Sequence, residues 1–201
     1  MASISLKYKS KQGNLTAPGD VDPGAMIPIA TVTISSATAN ATFSNIPQNY
    51  EHLQIRWSGK EESNGTSNWY GLAATFNSDS GSNYNNHYLG TYAVTGGGAQ
   101  TTFADNSAQT YVNVSIIGRG NGDNITFGSG IIDILDYTNT NKYKTVRSLS
   151  GFIYNPTPNR LDFMSGMWRN TAAITSIGLS NAGNFATGTT FSLYGIKRAG
   201  A

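Results

Sequence analysis

The feature that most constrains this chain is a two-residue period. In "HLQIRWS" (His52 to Ser58), Leu53, Ile55 and Trp57 alternate with His52, Gln54, Arg56 and Ser58. An extended segment with that pattern has one apolar and one polar face, as a half-buried strand does. "IATVTI" (Ile29 to Ile34) alternates in the same way, and further strands are expected in "WYGLAATF" (69–76), "TYVNVSII" (110–117), "GIIDILDY" (130–137), "TVRSLSGFIY" (145–154), "LDFMSGMW" (161–168), "AITSIGLS" (173–180) and "TFSLYGIK" (190–197). Turn formers separate them, among them "GRGNGDN" (118–124), "NPTPN" (155–159) and "NAGNFATG" (181–188). No segment sustains the 3.6-residue period of an amphipathic helix. The expected fold is all-β, an antiparallel two-sheet, jelly-roll-like sandwich preceded by an extended N-terminal arm.

Composition narrows the function classes. With 201 residues, 38% of them hydrophobic, the chain can bury one substantial core without a second domain. Only 12% of residues are charged, so amides and hydroxyls solvate the surface, while 11 Tyr, 8 Phe and 3 Trp argue against disorder. A net charge of +2 gives no global field for nucleic acid. No apolar run approaches the length of a membrane span or a secretion leader, so no membrane partner is expected. The chain has no Cys and therefore no disulfide or thiolate metal site.

Residues 1–26 differ from the sandwich domain expected over 27–201. Lys7, Lys9 and Lys11 alternate around Tyr8, and two Pro-Gly pairs follow. In an extended segment the three lysines share one face. The segment is either a solvated tail or an arm that orders on a neighbouring subunit or another protein, in which case Lys7, Tyr8, Lys9 and Lys11 are its contact residues.

"FNSDSGSNYNNHYLG" (Phe76 to Gly90) places Asn77, Asp79, Gly81 and Asn83 at alternate positions, like a calcium loop. An EF-hand would need Gly at the sixth position and Glu at the twelfth, where Ser82 and Tyr88 stand, and Asp79 is the window's one carboxylate. Asx-type turns that satisfy their own backbone explain the run better. No catalytic constellation emerges either. His52 and His87 have no Ser or Asp motif beside them, Glu61 and Glu62 fall in a turn-like stretch, and Asp133 and Asp136 should point to opposite faces of one strand. The chain is expected to be non-enzymatic and to need no cofactor.

Aromatic residues next to amides suggest a different chemistry. Trp69 and Tyr70 adjoin an Asn-rich stretch, and Tyr84, Tyr88 and Tyr92 follow at even spacing that would set them on one sheet face. Sugars stack on such rings, which makes Trp69, Tyr70, Tyr84 and Tyr88 candidate glycan-binding residues. The commoner role of aromatics on a β face is core or subunit packing.

Three phrases carry a resemblance. "ATFSNIPQNYEHLQIRWSG" (41–59), "FNSDSGSNYNNHYLG" and "GMWRNTAAITSIGLSNAGNFATGTTFSLYGIKRAG" (166–200) resemble, in their order, a family of single-domain β-rich structural proteins of tailed bacteriophages. The resemblance runs from about Ile27 onward. It implies a virion component made in the host cytoplasm, often trimeric, on the outer surface of the capsid or the tail. Its partners would be the major capsid protein or other virion proteins. A capsid decoration (cement) protein is the favoured role, since no fibre shaft is visible in these residues. A tail-fibre adhesin for host-surface glycans is the alternative.

Overall fold

A computed structural model describes residues 25–62, 69–94, 97–119, 127–153 and 159–198. The arm residues Lys7, Tyr8, Lys9 and Lys11 lie outside them. Twelve strands are formed: β1 (Met26–Thr33), β2 (Thr38–Phe43), β3 (His52–Gly59), β4 (Trp69–Phe76), β5 (Tyr84–Val94), β6 (Gly97–Gln109), β7 (Val112–Gly118), β8 (Gly128–Leu135), β9 (Lys144–Phe152), β10 (Arg160–Trp168), β11 (Ile177–Phe185) and β12 (Thr190–Ile196).

They pair antiparallel into a large sheet, β1-β12-β3-β8-β9-β10-β5-β6, and a small one, β2-β11-β4-β7, packed as a sandwich. Within this order lies a jelly roll. Strands β1, β3, β8 and β12 belong to the large sheet and β2, β4, β7 and β11 to the small one, so the chain repeatedly crosses between layers. Two hairpins, β5–β6 and β9–β10, are inserted and extend the large sheet beyond β8. They form a wing whose β9 and β10 pack against β7, the edge strand of the small sheet.

The core follows from the two-residue period. Leu53, Ile55 and Trp57 of β3, with Ile132 and Ile134 of β8 and Phe191 and Leu193 of β12, face Leu72 and Phe76 of β4 and Ile177 and Leu179 of β11, all nearly or wholly inaccessible. β12 lies between β1 and β3. Phe191 and Leu193 fill its core face, while Tyr194 and Ile196 on the other face are only half-buried. A Cβ on Gly195 would run into the ring of Tyr50, so this glycine marks a close approach of backbone and side chain.

Three strands go beyond the sequence reading. β2 is built from Thr, Ala and Asn around one Phe, and β6 largely from Gly, Ala, Gln and Thr, so intrinsic propensity understates both, while in β5 the strand-forming Tyr84, Tyr88 and Tyr92 are interrupted by Asn85, Asn86 and Gly90. β11 also runs on through "NAG", where a turn was expected. Its register shifts between Ser180 and Phe185, so the small polar residues make a bulge and not a chain reversal.

Candidate functional site

The phrases that carry the resemblance meet at one end of the sandwich. Asn77 and Ser78, just past β4, take positive φ (52° and 57°), a conformation that Asn tolerates better than most residues. Asn77 Nδ2 donates to Ala173 O at 2.8 Å, and its Oδ1 accepts from the Thr175 and Ser176 amides at 2.8 and 3.2 Å. The Ile46 amide donates to Thr175 O, and Gln48 Nε2 bridges Ile46 O and Ile174 O. One Asn and one Gln thus sew "NIPQN", "FNSDSGS" and "NTAAITSI" together.

Asp79 is the centre of the loop. Its Oδ1 accepts from the Gly81 amide, and its Oδ2 accepts from Asn83 Nδ2 at 2.9 Å and from Trp168 Nε1 at 2.7 Å. The Trp168 bond, ahead of the others, holds its carboxyl below the usual carboxylate range. Tyr84 completes the arrangement. Its hydroxyl accepts from the Phe76 amide and donates to Asp79 O, and burial pushes its pKa up to about 12. Its ring stacks with Trp168. The amide-rich run therefore anchors the buried Trp168 and the segment after it. Every oxygen of the one carboxylate is committed to a protein donor.

Lys144 had no signal in the sequence. It is fully buried at the start of β9, and its Nζ donates to the carbonyls of Asn139, Lys142 and Thr171. Burial lowers its pKa. Lysine on an otherwise alternating strand reads as solvated, and only the convergence of three carbonyls from two connections, β8–β9 and β10–β11, reveals the cap.

Beside this knot, Glu51, His52 and Asp136 bring one potential ligand atom each within 4.8 Å of one another, at a cavity of about 550 Å³. Each residue is engaged. Asp136 pairs with Lys142, whose hydrogen bond is the leading cause of its lowered pKa, Glu51 pairs with Arg198 at 3.4 Å, and His52 Nδ1 accepts the Asp136 amide at 2.9 Å. The corner is charge-balanced, and a cation would have to displace its protein partners. Asp136 lies past β8 with φ 50°, in a turn and not on the strand face expected from the sequence. Glu61 departs from expectation more strongly. It is inaccessible and forms bridges to Arg119 and Phe185, with its carboxylate 3.7 Å from the buried Arg119 Nε.

The candidate glycan-binding residues separate. Tyr84 is wholly buried in the core, so it presents no ring to a ligand. Tyr70 is partly buried and packs against the core. Trp69 and Tyr88 do come together, and Tyr92 and Arg160 join them. On β5, Tyr84, Tyr88 and Tyr92 share the inward face that even spacing implies. Trp69 meets Tyr92 at 5.9 Å between ring centroids, and the Arg160 guanidinium lies 4.9 Å from the Trp69 centroid and 5.9 Å from that of Tyr88. Arg160 Nε also bonds both oxygens of Asp162, whose carboxyl is raised by burial and opposed by the arginine. The sequence offered no reason to group Arg160 with Trp69, because β10 and β4 lie in different sheets.

The outward face of the wing is apolar in its middle. Cross-strand partners Leu89 (β5), Phe163 (β10), Leu149 (β9) and Ile131 (β8) form a row, with Leu161 beside it. Leu89, Leu149, Leu161 and Phe163 are each at least 50% exposed, and Ile131 is 39% exposed. Comparison with protein families, curated proteins and solved structures finds no match to the chain.

Proposed function

We propose that the protein is a non-enzymatic structural component of a bacteriophage virion, acting as a capsid decoration protein on the particle's outer surface. The observation that carries this reading is the convergence of the three resembling phrases on a single hydrogen-bonded knot, in a jelly roll whose last phrase, "SLYGIK", forms strand β12, paired on both sides by β1 and β3. The resembling phrases thus supply joints of the scaffold, and the cavity that two of them line beside the knot is closed off by the ion pairs of Asp136 with Lys142 and of Glu51 with Arg198. The extended wing adds surface beyond the eight-stranded jelly roll, and residues 1–26 supply a candidate clasp through Lys7, Tyr8, Lys9 and Lys11.

Co-sedimentation of the purified full chain with particles lacking it tests the reading. Saturable binding to capsids is expected, with loss of binding when residues 1–26 are deleted. Binding by the truncated chain at full occupancy would reduce that segment to a solvated tail.

A second reading, a tail-associated adhesin for host-surface glycans, draws on the Trp69, Tyr88, Tyr92 and Arg160 cluster. Binding to host cells but not to capsids, abolished by Trp69→Ala, would favour it.

A further inference from the structure

We infer that the outward face of the wing is a self-association surface, on which a second copy of this chain seats its own wing face to face.

The row Leu89, Phe163, Leu149, Ile131 crosses four adjacent strands, so it is about 14 Å long at the usual strand spacing. Leu161 widens it by one position on β10. Neighbouring rows are polar. On one side stand His87, Ser165, Arg147, Asp133 and Gln54, within which Arg147 Nε pairs with Asp133 at 3.1 Å and Gln54 Nε2 donates to Asp133 at 2.8 Å. Arg56 closes the apolar row at its β3 end. An apolar centre with a mixed-charge rim is the anatomy of a protein interface.

Area and symmetry select the occupant. Five half-exposed side chains of this size present on the order of 500 Å², the scale of a functional patch. With the flanking polar row the face approaches the roughly 800 Å² per partner of a standard interface. A ring built from unlike patches needs two complementary surfaces on each subunit, whereas a two-fold contact needs one surface that matches itself. Among the described residues, the remaining large exposed apolar groups, Tyr111, Tyr143 and Ile153, lie outside the strands and make no second row. One self-matching band therefore favours two-fold pairing. A two-fold axis parallel to the strands sets Leu89 against the copy's Ile131 and Phe163 against its Leu149, at the usual sheet-to-sheet separation of about 10 Å. The rim then places Arg147 and Asp133 of each copy along the same seam. This pairing stands independently of where in a virion the protein acts, since it concerns the isolated chain.

The test is sedimentation equilibrium on the full chain, with Leu149→Lys and Thr42→Lys beside the wild type. A dimer, or an even-numbered assembly, is expected for wild type and for Thr42→Lys, which changes an exposed position on the small sheet. Leu149→Lys should weaken self-association about tenfold or more, as expected for a charge placed at the centre of an apolar contact. Its melting, measured at a concentration where wild type is also dissociated, should be unchanged. Because the chain lacks cysteine, a mixture of Phe163→Cys and Leu149→Cys proteins should be joined into a heterodimer by a short thiol-specific bifunctional crosslinker, which spans the roughly 10 Å between facing sheets that a disulfide cannot. A wild type that stays monomeric at high concentration, or a trimer unaffected by Leu149→Lys, would overturn the inference. So would a monomer in which Leu149→Cys becomes reactive only after residues 1–24 are deleted, since that would make those residues the cover.

Discussion

The Trp168 indole N–H donates to Asp79 Oδ2 across 2.7 Å, tying the end of β10 to the loop between β4 and β5. Trp168 is 1% exposed, so its donor has no recourse to water if the carboxylate is removed. Asp79→Ala should therefore destabilise the fold by about 1–3 kcal/mol, the cost of an unsatisfied buried group. Asp79→Asn, which keeps one acceptor oxygen, should cost less. Denaturant melts of the two variants check the order, and an Asp79→Ala protein as stable as wild type would show that the indole bond carries no weight. The sequence shows the Asx turns of this loop but not its reach to a tryptophan 89 residues away.

The same carboxylate makes stability depend on pH in a defined direction. Its folded pKa lies below the ordinary 3.8, so the unfolded chain takes up the proton first. The stabilisation is complete above the unfolded value and is lost as pH falls below about 4 and on through the lower folded value. Asp136, held low chiefly by Lys142, adds to the trend in the same window. Acid titration of the wild type against Asp79→Asn should show a steeper loss for the wild type between about pH 4 and 2. Parallel curves would contradict the assignment.

Legibility tracked the range of the interactions. β3 and β12 could be read directly because alternation is a local property, and the buried Leu53, Ile55 and Trp57 are the residues that alternation selects. The even spacing of Tyr84, Tyr88 and Tyr92 likewise gave their common face. It could not tell a core ring from a surface one, because what covers Tyr84 is Phe76 and Trp168, brought there by other strands. Glu61 and the Arg160 cluster were illegible for the same reason, and Lys144, though two of its three acceptors are local, is buried only where Thr171 closes over the turn from 27 residues away.

Leu193 is 1% exposed, on the core face of β12 between β1 and β3. Leu193→Asp would bury an unpaired carboxylate at a cost of several kcal/mol, comparable with the roughly 5–15 kcal/mol stability of a domain. Loss of soluble folded protein is the expected outcome. Melting like wild type would remove β12 from the sheet interior.

Gly195, two residues on, offers a milder probe. Adding a methyl forces the Tyr50 ring to move, and overpacking of this kind costs about 1–3 kcal/mol. Gly195→Ala should fold with a lowered melting temperature, and the loss should be partly recovered in Gly195→Ala/Tyr50→Leu, where the obstructing ring is gone. An unrecovered double variant would place the strain elsewhere.

Arg160 and Asp162 form a buried pair, with side chains 5% and 1% exposed. Arg160→Ala leaves a buried carboxylate without its partner and should cost about 3–5 kcal/mol, while Arg160→Leu/Asp162→Leu should cost clearly less than the sum of its singles. A double-mutant cycle by thermal melting measures the coupling. Additive effects would mean that the cation is held by the rings of Trp69 and Tyr88 and not by the carboxylate.

The most direct measurement of the proposed role is the number of copies of this chain in purified virions, obtained by quantitative mass spectrometry against the major capsid protein. A decoration protein covers repeated sites over the whole shell, so hundreds of copies per particle are expected. A few tens or fewer would place the chain on the tail, and its absence from washed particles would contradict a virion role altogether.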